Sequence, residues 1–272
     1  MSDKKRIDFS NKTYVMGILN VTPDSFSDGG RHNQPIDAAR HAVKLVNDGA
    51  DMIDIGGEST RPGFQKVTPE VELQRVIPAL KEVRKVVDVP ISIDTYKAEV
   101  ARQAIEAGAD VINDIWGAKK DPEMASVAVE YDVPIILMHN REQPEYENLM
   151  DEIVSDLYES IEIVKSAGAT DGQIILDPGI GFGKTFEQNL YVMRNLEVIT
   201  QLGYPVLLGT SRKSMIGHAL NLPPNERMEG TGASVCLGIE KGCQIVRVHD
   251  VKPIVRMVKM MDAMLRGPIL NG

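Results

Sequence analysis

The 272-residue chain is poor in cysteine, in basic charge and in long apolar runs, and each shortage removes a class of function. Two cysteines, Cys236 and Cys243, are too few for a disulfide framework. They read as small buried hydrophobes in a reducing cytoplasm. Acids outnumber bases, giving a net charge of -9. A general nucleic-acid or anionic-membrane surface is therefore not expected, although a local cationic pocket for a small anion stays open. No run approaches the roughly 18 apolar residues that a membrane span needs. The basic start, Met1-Ser2-Asp3-Lys4-Lys5-Arg6, has no apolar core behind it and does not read as a signal peptide. Low-complexity tracts and Ser/Pro-rich linkers are missing too. That leaves one domain over residues 1–272, with residues 1–11 as a lead-in.

What is present is a repeat. Val15-Met16-Gly17-Ile18-Leu19 is an apolar run that turns abruptly polar at Asn20. Similar runs recur at Met52–Gly56, Pro90–Asp94, Val111–Asp114, Pro134–His139, Ile174–Asp177, Pro205–Gly209 and Ile245–His249. Near-continuous apolar runs indicate strands buried on both faces of a parallel sheet. Helical patterns lie between them. Ile36, Ala39, Val43 and Val46 share one helix face, as do Leu149, Ile153, Leu157, Ile161 and Val164. Thr68-Pro69-Glu70 and Asp121-Pro122-Glu123 each offer a helix cap followed by Pro. Gly49, Gly108, Gly168 and Gly242 mark helix ends. Eight alternating β and α units in this length predict an α/β fold, a (β/α)8 TIM barrel of one domain, with its active site at the C-terminal ends of the strands.

That topology sends Asn20, Asp54, Asp94, Asn113, His139, Asp177, Arg247 and His249 to one mouth. Polar groups so placed need partners, and a ligand is expected to supply some of them. Asp54 and His139 are the members best explained as partnered by the protein itself.

Gly179-Ile180-Gly181-Phe182-Gly183-Lys184-Thr185 imitates a phosphate loop, but that spacing requires Gly where Pro178 stands. It reads instead as a tight loop that lets backbone approach a ligand beside Asp177. Phe182 either stacks on an aromatic ligand or covers the core. Lys213 in Thr210-Ser211-Arg212-Lys213-Ser214 is a surface cation, a Schiff-base nucleophile or a charged donor. Arg247, inside an apolar run, needs a charged partner. Acceptors on one side and cations on the other suit a ligand with an amidine-like edge and an anionic end.

Five motifs, in order, resemble the dihydropteroate synthase family over nearly the whole chain: Asn20–Gly30, Asp54–Pro62, Asp177–Lys184, Ser211-Arg212-Lys213 and Arg247–Asp250. The resemblance implies a transferase of folate biosynthesis. It would join (7,8-dihydropterin-6-yl)methyl diphosphate to 4-aminobenzoate and release diphosphate. It implies that Asp177, Asn113 and Asp94 hold the pterin and that Lys213 donates to it. Arg247, His249 and Asn20 would take the diphosphate, with Asn20 also a Mg2+ ligand; Asn20, Lys213, Arg247 and His249 form the catalytic set. Phe182 and Pro62 would flank the aminobenzoate ring, with Thr60 and Ser214 nearby, and Arg61 and Phe26 would sit in closing loops. Sulfonamide inhibition and a homodimer follow from the same likeness, while a cytoplasmic setting and the lack of a nucleic-acid or membrane partner are expected from the cysteine content, the net charge and the missing apolar runs. Asn140-Arg141-Glu142-Gln143 departs from the Gly-Thr-Pro stretch of many members, leaving that loop's conformation open. Two other readings are a corrinoid-linked pterin methyltransferase domain and a non-catalytic pterin-binding relative. The first lacks the Asn20–Gly30 and Ser211-Arg212-Lys213 patterns, and the second would have lost the anion-binding set.

Overall fold

The computed structural model describes residues 8–22, 34–58 and 66–267. Eight parallel strands form the centre: β1 (Tyr14–Asn20), β2 (Met52–Gly56), β3 (Ile91–Asp94), β4 (Val111–Asp114), β5 (Ile135–Met138), β6 (Ile174–Asp177), β7 (Leu207–Leu208) and β8 (Ile245–Val248). Each pairs with its sequence neighbour, and β8 returns to β1, with Met16 opposite Arg247. A bridge between Leu176 and Val206 joins β6 to the β7 segment and closes the ring. The fold is thus the expected (β/α)8 barrel.

The outer layer is built from α1 (Gln34–Asn47), α2 (Pro69–Arg84), α3 (Ala98–Glu106), α4 (Met124–Glu130), α5 (Leu149–Ser166), α6 (Phe186–Arg194), α7 (Glu197–Thr200), α8 (Ser214–Leu220), α9 (Met228–Glu240) and α10 (Val251–Arg266). Strand residues alternate between two cores. Those pointing out pack under the helices. Those pointing in form a layer of Met16, Met52, Val111, Ile136, Ile175, Leu207 and Ile245, closed from below by Phe9 and Tyr14. Phe9, with Tyr14 of β1, therefore covers the end of the barrel opposite the mouth. Above this layer, toward the strands' C-terminal ends, polar side chains such as Asp54, Asn113, Asp177 and Arg247 predominate.

Two local expectations are corrected. The buried face of α1 is Ala38, Ala42 and Leu45, whereas Ile36 and Val43 are exposed. The small alanines let α1 lie close to the strands, so the bulkier aliphatics on the neighbouring face are left outside. Asp121 does not cap its own helix, which begins later at Met124. One oxygen accepts from Glu123 N (3.1 Å) in a turn, and the other accepts from Ala98 N (2.8 Å) at the start of α3. Thr68 does cap α2, accepting from Val71 N at 3.5 Å. Gly49, Gly108, Gly168 and Gly242 all take positive φ, as helix ends of this kind require.

Candidate active site

Asn20, Asp94 and Asp177 end β1, β3 and β6; Asn113 and Arg247 lie one residue inside β4 and β8; and Asp54 lies mid-way along β2. Placing these groups on strands rather than loops holds them rigidly and removes most of their water.

The centre is a buried ion cluster. Arg247 donates from Nε to Asp54 Oδ2 (2.6 Å) and from Nη2 to Asp94 Oδ2 (2.7 Å). Asn113 Nδ2 donates to both Asp54 oxygens at 3.3 Å. Asp54 is thus satisfied by protein, as its burial demands. Burial pushes the Asp94 carboxyl up to about 7, against the pull of Arg247. Burial also disfavours the charge on Arg247, but Asp54 and Asp94 more than compensate and hold it above its ordinary value. Its Nη1 makes no hydrogen bond among the described residues and is the donor left for a ligand. Asn20 Oδ1 and Asp94 Oδ2 meet over Gly56, where a Cβ would stand 3.8 and 3.6 Å from them. That glycine keeps the space between the two oxygens open.

Opposite, Asp177 accepts from Gly179 N (2.7 Å). Burial raises its carboxyl while Lys213 opposes the rise. Lys213 donates to the Ile180 carbonyl and stands 4.7 Å over the Phe182 ring. Burial lowers its ammonium to about 8 against the pull of Asp177. Phe182, half-buried, therefore carries a cation on one face.

The anion side is assembled by the loops after β7 and β8. Ser211 Oγ accepts from His249 N (3.1 Å) and lies 2.9 Å from His249 Nδ1. Ser211 thus fixes the His249 ring from its Nδ1 side. Arg212 grips Asp250 through Nε (2.9 Å) and Nη2 (2.6 Å). Arg227 holds the Arg212 and Lys213 carbonyls from beneath, at 3.0 and 3.2 Å. Ser214 opens α8 and is exposed.

The glycine loop behaves differently from its sequence reading. A Cβ on Gly179 would stand 1.8 Å from the His139 carbonyl oxygen, and one on Gly183 2.5 Å from that of Arg141. The close approach these glycines permit is to the protein's own chain. The Asn140–Gln143 stretch is what they pack on. Asn140 donates to the Ile115 carbonyl (3.0 Å), and Arg141 pairs with Asp156 and Glu152, each at 2.6 Å. His139 points away from the mouth, to Asp156 and Lys184.

Sequence reasoning missed three contributors. Ser211 lay inside a quoted motif but was given no task. Asp114, buried beside Asn113, accepts from Trp116 N and Ala118 N and fixes the turn after β4; burial pushes it up to about 6. Lys184 had only a rejected phosphate-loop reading. Phe26, Thr60, Arg61 and Pro62 lie outside the described residues.

The pattern of the family described as pterin binding enzyme matches residues 16–249. The dihydropteroate synthase of Bacillus subtilis (strain 168) is 60% identical over 267 residues, 98% of this chain and 94% of that protein. Among solved structures, a dihydropteroate synthase from Clostridium difficile, determined in the presence of pteroic acid, superposes with a TM-score of 0.94 at 51% identity, covering 96% of this chain and 99% of that one. The Xanthomonas albilineans enzyme with 4-aminobenzoic acid gives 0.92 at 39% identity, covering 96% of each.

Proposed function

Since this chain belongs to the pterin-binding enzyme family, we infer that it is a dihydropteroate synthase, a transferase that condenses (7,8-dihydropterin-6-yl)methyl diphosphate with 4-aminobenzoate to give 7,8-dihydropteroate and diphosphate. The full-length likeness to synthases carries the reading, and it does not favour the methyltransferase or non-catalytic alternatives.

The residue roles are our proposal. Asp177 and Asn113, with Asp94, receive the donor edge of the pterin, because a carboxylate accepts two parallel bonds from an amino group and its adjacent ring nitrogen. Lys213 donates to the pterin while lying over Phe182. Arg247, through Nη1, and His249, through Nε2, face the diphosphate. Phe182 and Pro62 border the aminobenzoate, with Thr60 and Ser214 near its rim and Arg61 and Phe26 in closing loops.

Asn20 offers one amide oxygen beside the space over Gly56. That sparse oxygen set, open over Gly56, fits Mg2+, which commonly takes few protein oxygens and completes its shell with phosphate and water. Bound there through Asn20, it would neutralise charge on the leaving diphosphate.

In the mechanism we propose, the bond from the pterin methylene to the diphosphate oxygen breaks first, and the electron pair leaves with diphosphate. Arg247 and His249 stabilise that charge as it develops. The amine of 4-aminobenzoate then bonds to the methylene cation and releases a proton to solvent. No protein nucleophile is needed, so Lys213 acts as a donor and not as a Schiff-base former.

Among the described residues no helix is long and apolar enough to cross a membrane; a cytoplasmic setting, without nucleic acid, is our reading. We further propose a homodimer. It is supported by an exposed apolar face on α10, which presents Met260, Met264 and Leu265 and where Met260 and Met264, with Cys236, Met257 and Met261, line a cleft of about 450 Å³. Assaying diphosphate release with and without 4-aminobenzoate tests the activity: folded protein with Mg2+ that releases nothing would refute it.

A further inference from the structure

The Gly179–Lys184 loop is pinned from two sides. From the mouth, Lys213 donates to the Ile180 carbonyl. From beneath, Lys184 Nζ lies 2.7 Å from His139 Nδ1, 3.0 Å from the Gly179 carbonyl oxygen and 3.1 Å from that of Phe182. Three acceptors match the three protons of an ammonium, and because burial lowers Lys184 to about 7 against the pull of Asp177, the full set of three is held below that pH.

This ammonium is itself aimed. His139 is buried and places Nε2 3.0 Å from Asp156 Oδ2. Facing a carboxylate, Nε2 carries the hydrogen, so Nδ1 must accept from Lys184. Asp156, on α5, is fixed in turn by Arg141 Nε at 2.6 Å. Burial opposes the charge on Asp156, but bonds from His139 and Arg141 hold it below the ordinary carboxylate range. Burial also keeps His139 neutral, lowering it to about 4. A relay from α5 to the loop thus ends on two carbonyls, those of Gly179 and Phe182.

The two ends of the turn are secured differently. At the Gly179 end, Asp177 belongs to β6, and its carbonyl accepts from His139 N at 2.9 Å. At the other end the Phe182 N donates to the Gly179 carbonyl at 3.0 Å, and its neighbours are held by side chains: Gly181 N donates to Asn189 Oδ1 at 2.6 Å and Tyr146 donates to the Gly183 carbonyl at 2.7 Å. Among the described residues the side chain that bonds the Phe182 carbonyl itself is Lys184, and Lys213, on the Ile180 carbonyl, is shared with the ligand in the function proposed above. Lys184 spends all three donors inside the protein.

We propose that Lys184, backed by His139 and Asp156, is a positioning residue for the aromatic amine: it holds the Phe182 end of the turn so that the ring is presented to 4-aminobenzoate. The proposal rests on the synthase reading for the identity of that ligand. It assigns no bond-making step to Lys184.

The test is a set of variants of the full chain: Lys184→Met, Phe182→Leu, both together, and Asp156→Asn. Lys184→Met should raise KM for 4-aminobenzoate about tenfold, with KM for the pterin diphosphate changed by less than about twofold. In the Phe182→Leu background it should add almost nothing, because coupled residues are non-additive. Asp156→Asn, remote from the mouth, should give a smaller rise of the same kind and serves if Lys184→Met does not fold. Additive effects, or equal rises in both KM values, overturn the proposal. A second readout needs no turnover. In protein labelled with fluorophenylalanine, the Phe182 resonance, identified by its loss in Phe182→Leu, should shift or broaden in Lys184→Met or Asp156→Asn. A wild-type chain that does not turn over sinks the synthase reading. A Phe182 resonance that stays in place sinks the positioning proposal, whichever way the first result falls.

Discussion

Replacing Arg247 by Met should expose the electrostatic logic of the barrel centre, and pH decides how. The guanidinium bridges Asp54, fully buried, and Asp94, 8% exposed. Removing one partner of such a cluster costs about 3–5 kcal/mol, because it leaves buried charge uncompensated. Asp94 can escape by keeping its proton. In the wild type, burial already places its carboxyl at about 7, with Arg247 pulling the other way. Without Arg247 it must titrate higher still. Both proteins therefore carry the extra proton between the ordinary carboxylate value and about pH 7, and both lose stability alike as pH rises through that window. Above pH 7 they part. The wild-type carboxyl ionises and its curve levels, while the variant still holds a proton that its unfolded chain lacks. The gap should then widen by about 1.4 kcal/mol per pH unit. Urea unfolding at pH 7 and pH 8.5 measures it, with an expected increase of about 2 kcal/mol over that interval. Adding Asp94→Asn should abolish the widening. A gap that is flat from pH 7 to 8.5, or that widens equally with Asp94→Asn, refutes the account.

Other outcomes follow from the same geometry. Gly179→Ala should cost about 3 kcal/mol in urea unfolding, since its Cβ would meet the His139 carbonyl at 1.8 Å and φ is +65°. Gly203→Ala, with φ +88° and nothing within 4 Å, should cost only about 1 kcal/mol; equal losses would show that close approach is not the cause. Lys213 titrates near 8, below its ordinary range, so its charge is lost as pH climbs past that value. KM for the pterin diphosphate should rise between pH 7.5 and 9, and that rise should vanish in Lys213→Met. Chelating Mg2+ should weaken diphosphate binding in calorimetry, and Asn20→Ala should raise the Mg2+ concentration needed to restore it. Sulfonamides should compete with 4-aminobenzoate; uncompetitive inhibition would contradict a shared subsite.

The barrel was legible because parallel strands covered on both faces must be apolar throughout, which leaves runs such as Ile174–Leu176 ending on Asp177. Alternation then brings Asp54, Asn113 and Arg247 to one end without further information. Helix faces were less secure. Ile36 and Val43 repeat at helical spacing, yet α1 turns Ala38, Ala42 and Leu45 inward, and a hydrophobicity pattern does not record which of two apolar faces packs. Asp121 carried a genuine capping signal, but the helix it serves is α3, whose first residue lies 23 positions earlier. Lys184 failed for the same reason. Its partner His139 is 45 residues away, and spacing says nothing about contacts made across a barrel wall.

The mouth divides its polar groups between strands and loops. Asp54, Asp94, Asn113 and Asp177 sit on strands, where a buried polar group cannot swing to water and must be satisfied in place. Asp54 achieves this with Arg247 and Asn113, and Asp177 in part with the Gly179 amide. Lys213 and His249 lie just beyond β7 and β8, where the chain can yield by a fraction of an ångström. Before any ligand arrives Lys213 is occupied by the Ile180 carbonyl, while Ser211 steadies the His249 ring from its Nδ1 side. Exchanging a neutral oxygen for an anionic or pterin oxygen improves the bond without stripping water from a bare cation, so affinity is gained at the loops. The strand acceptors hold register for the donor edge of the pterin. Arg247, the cation of this set that lies on a strand, is fixed there by Asp54 and Asp94, so the central positive charge keeps register with the pterin acceptors while Lys213 exchanges partners at the loop.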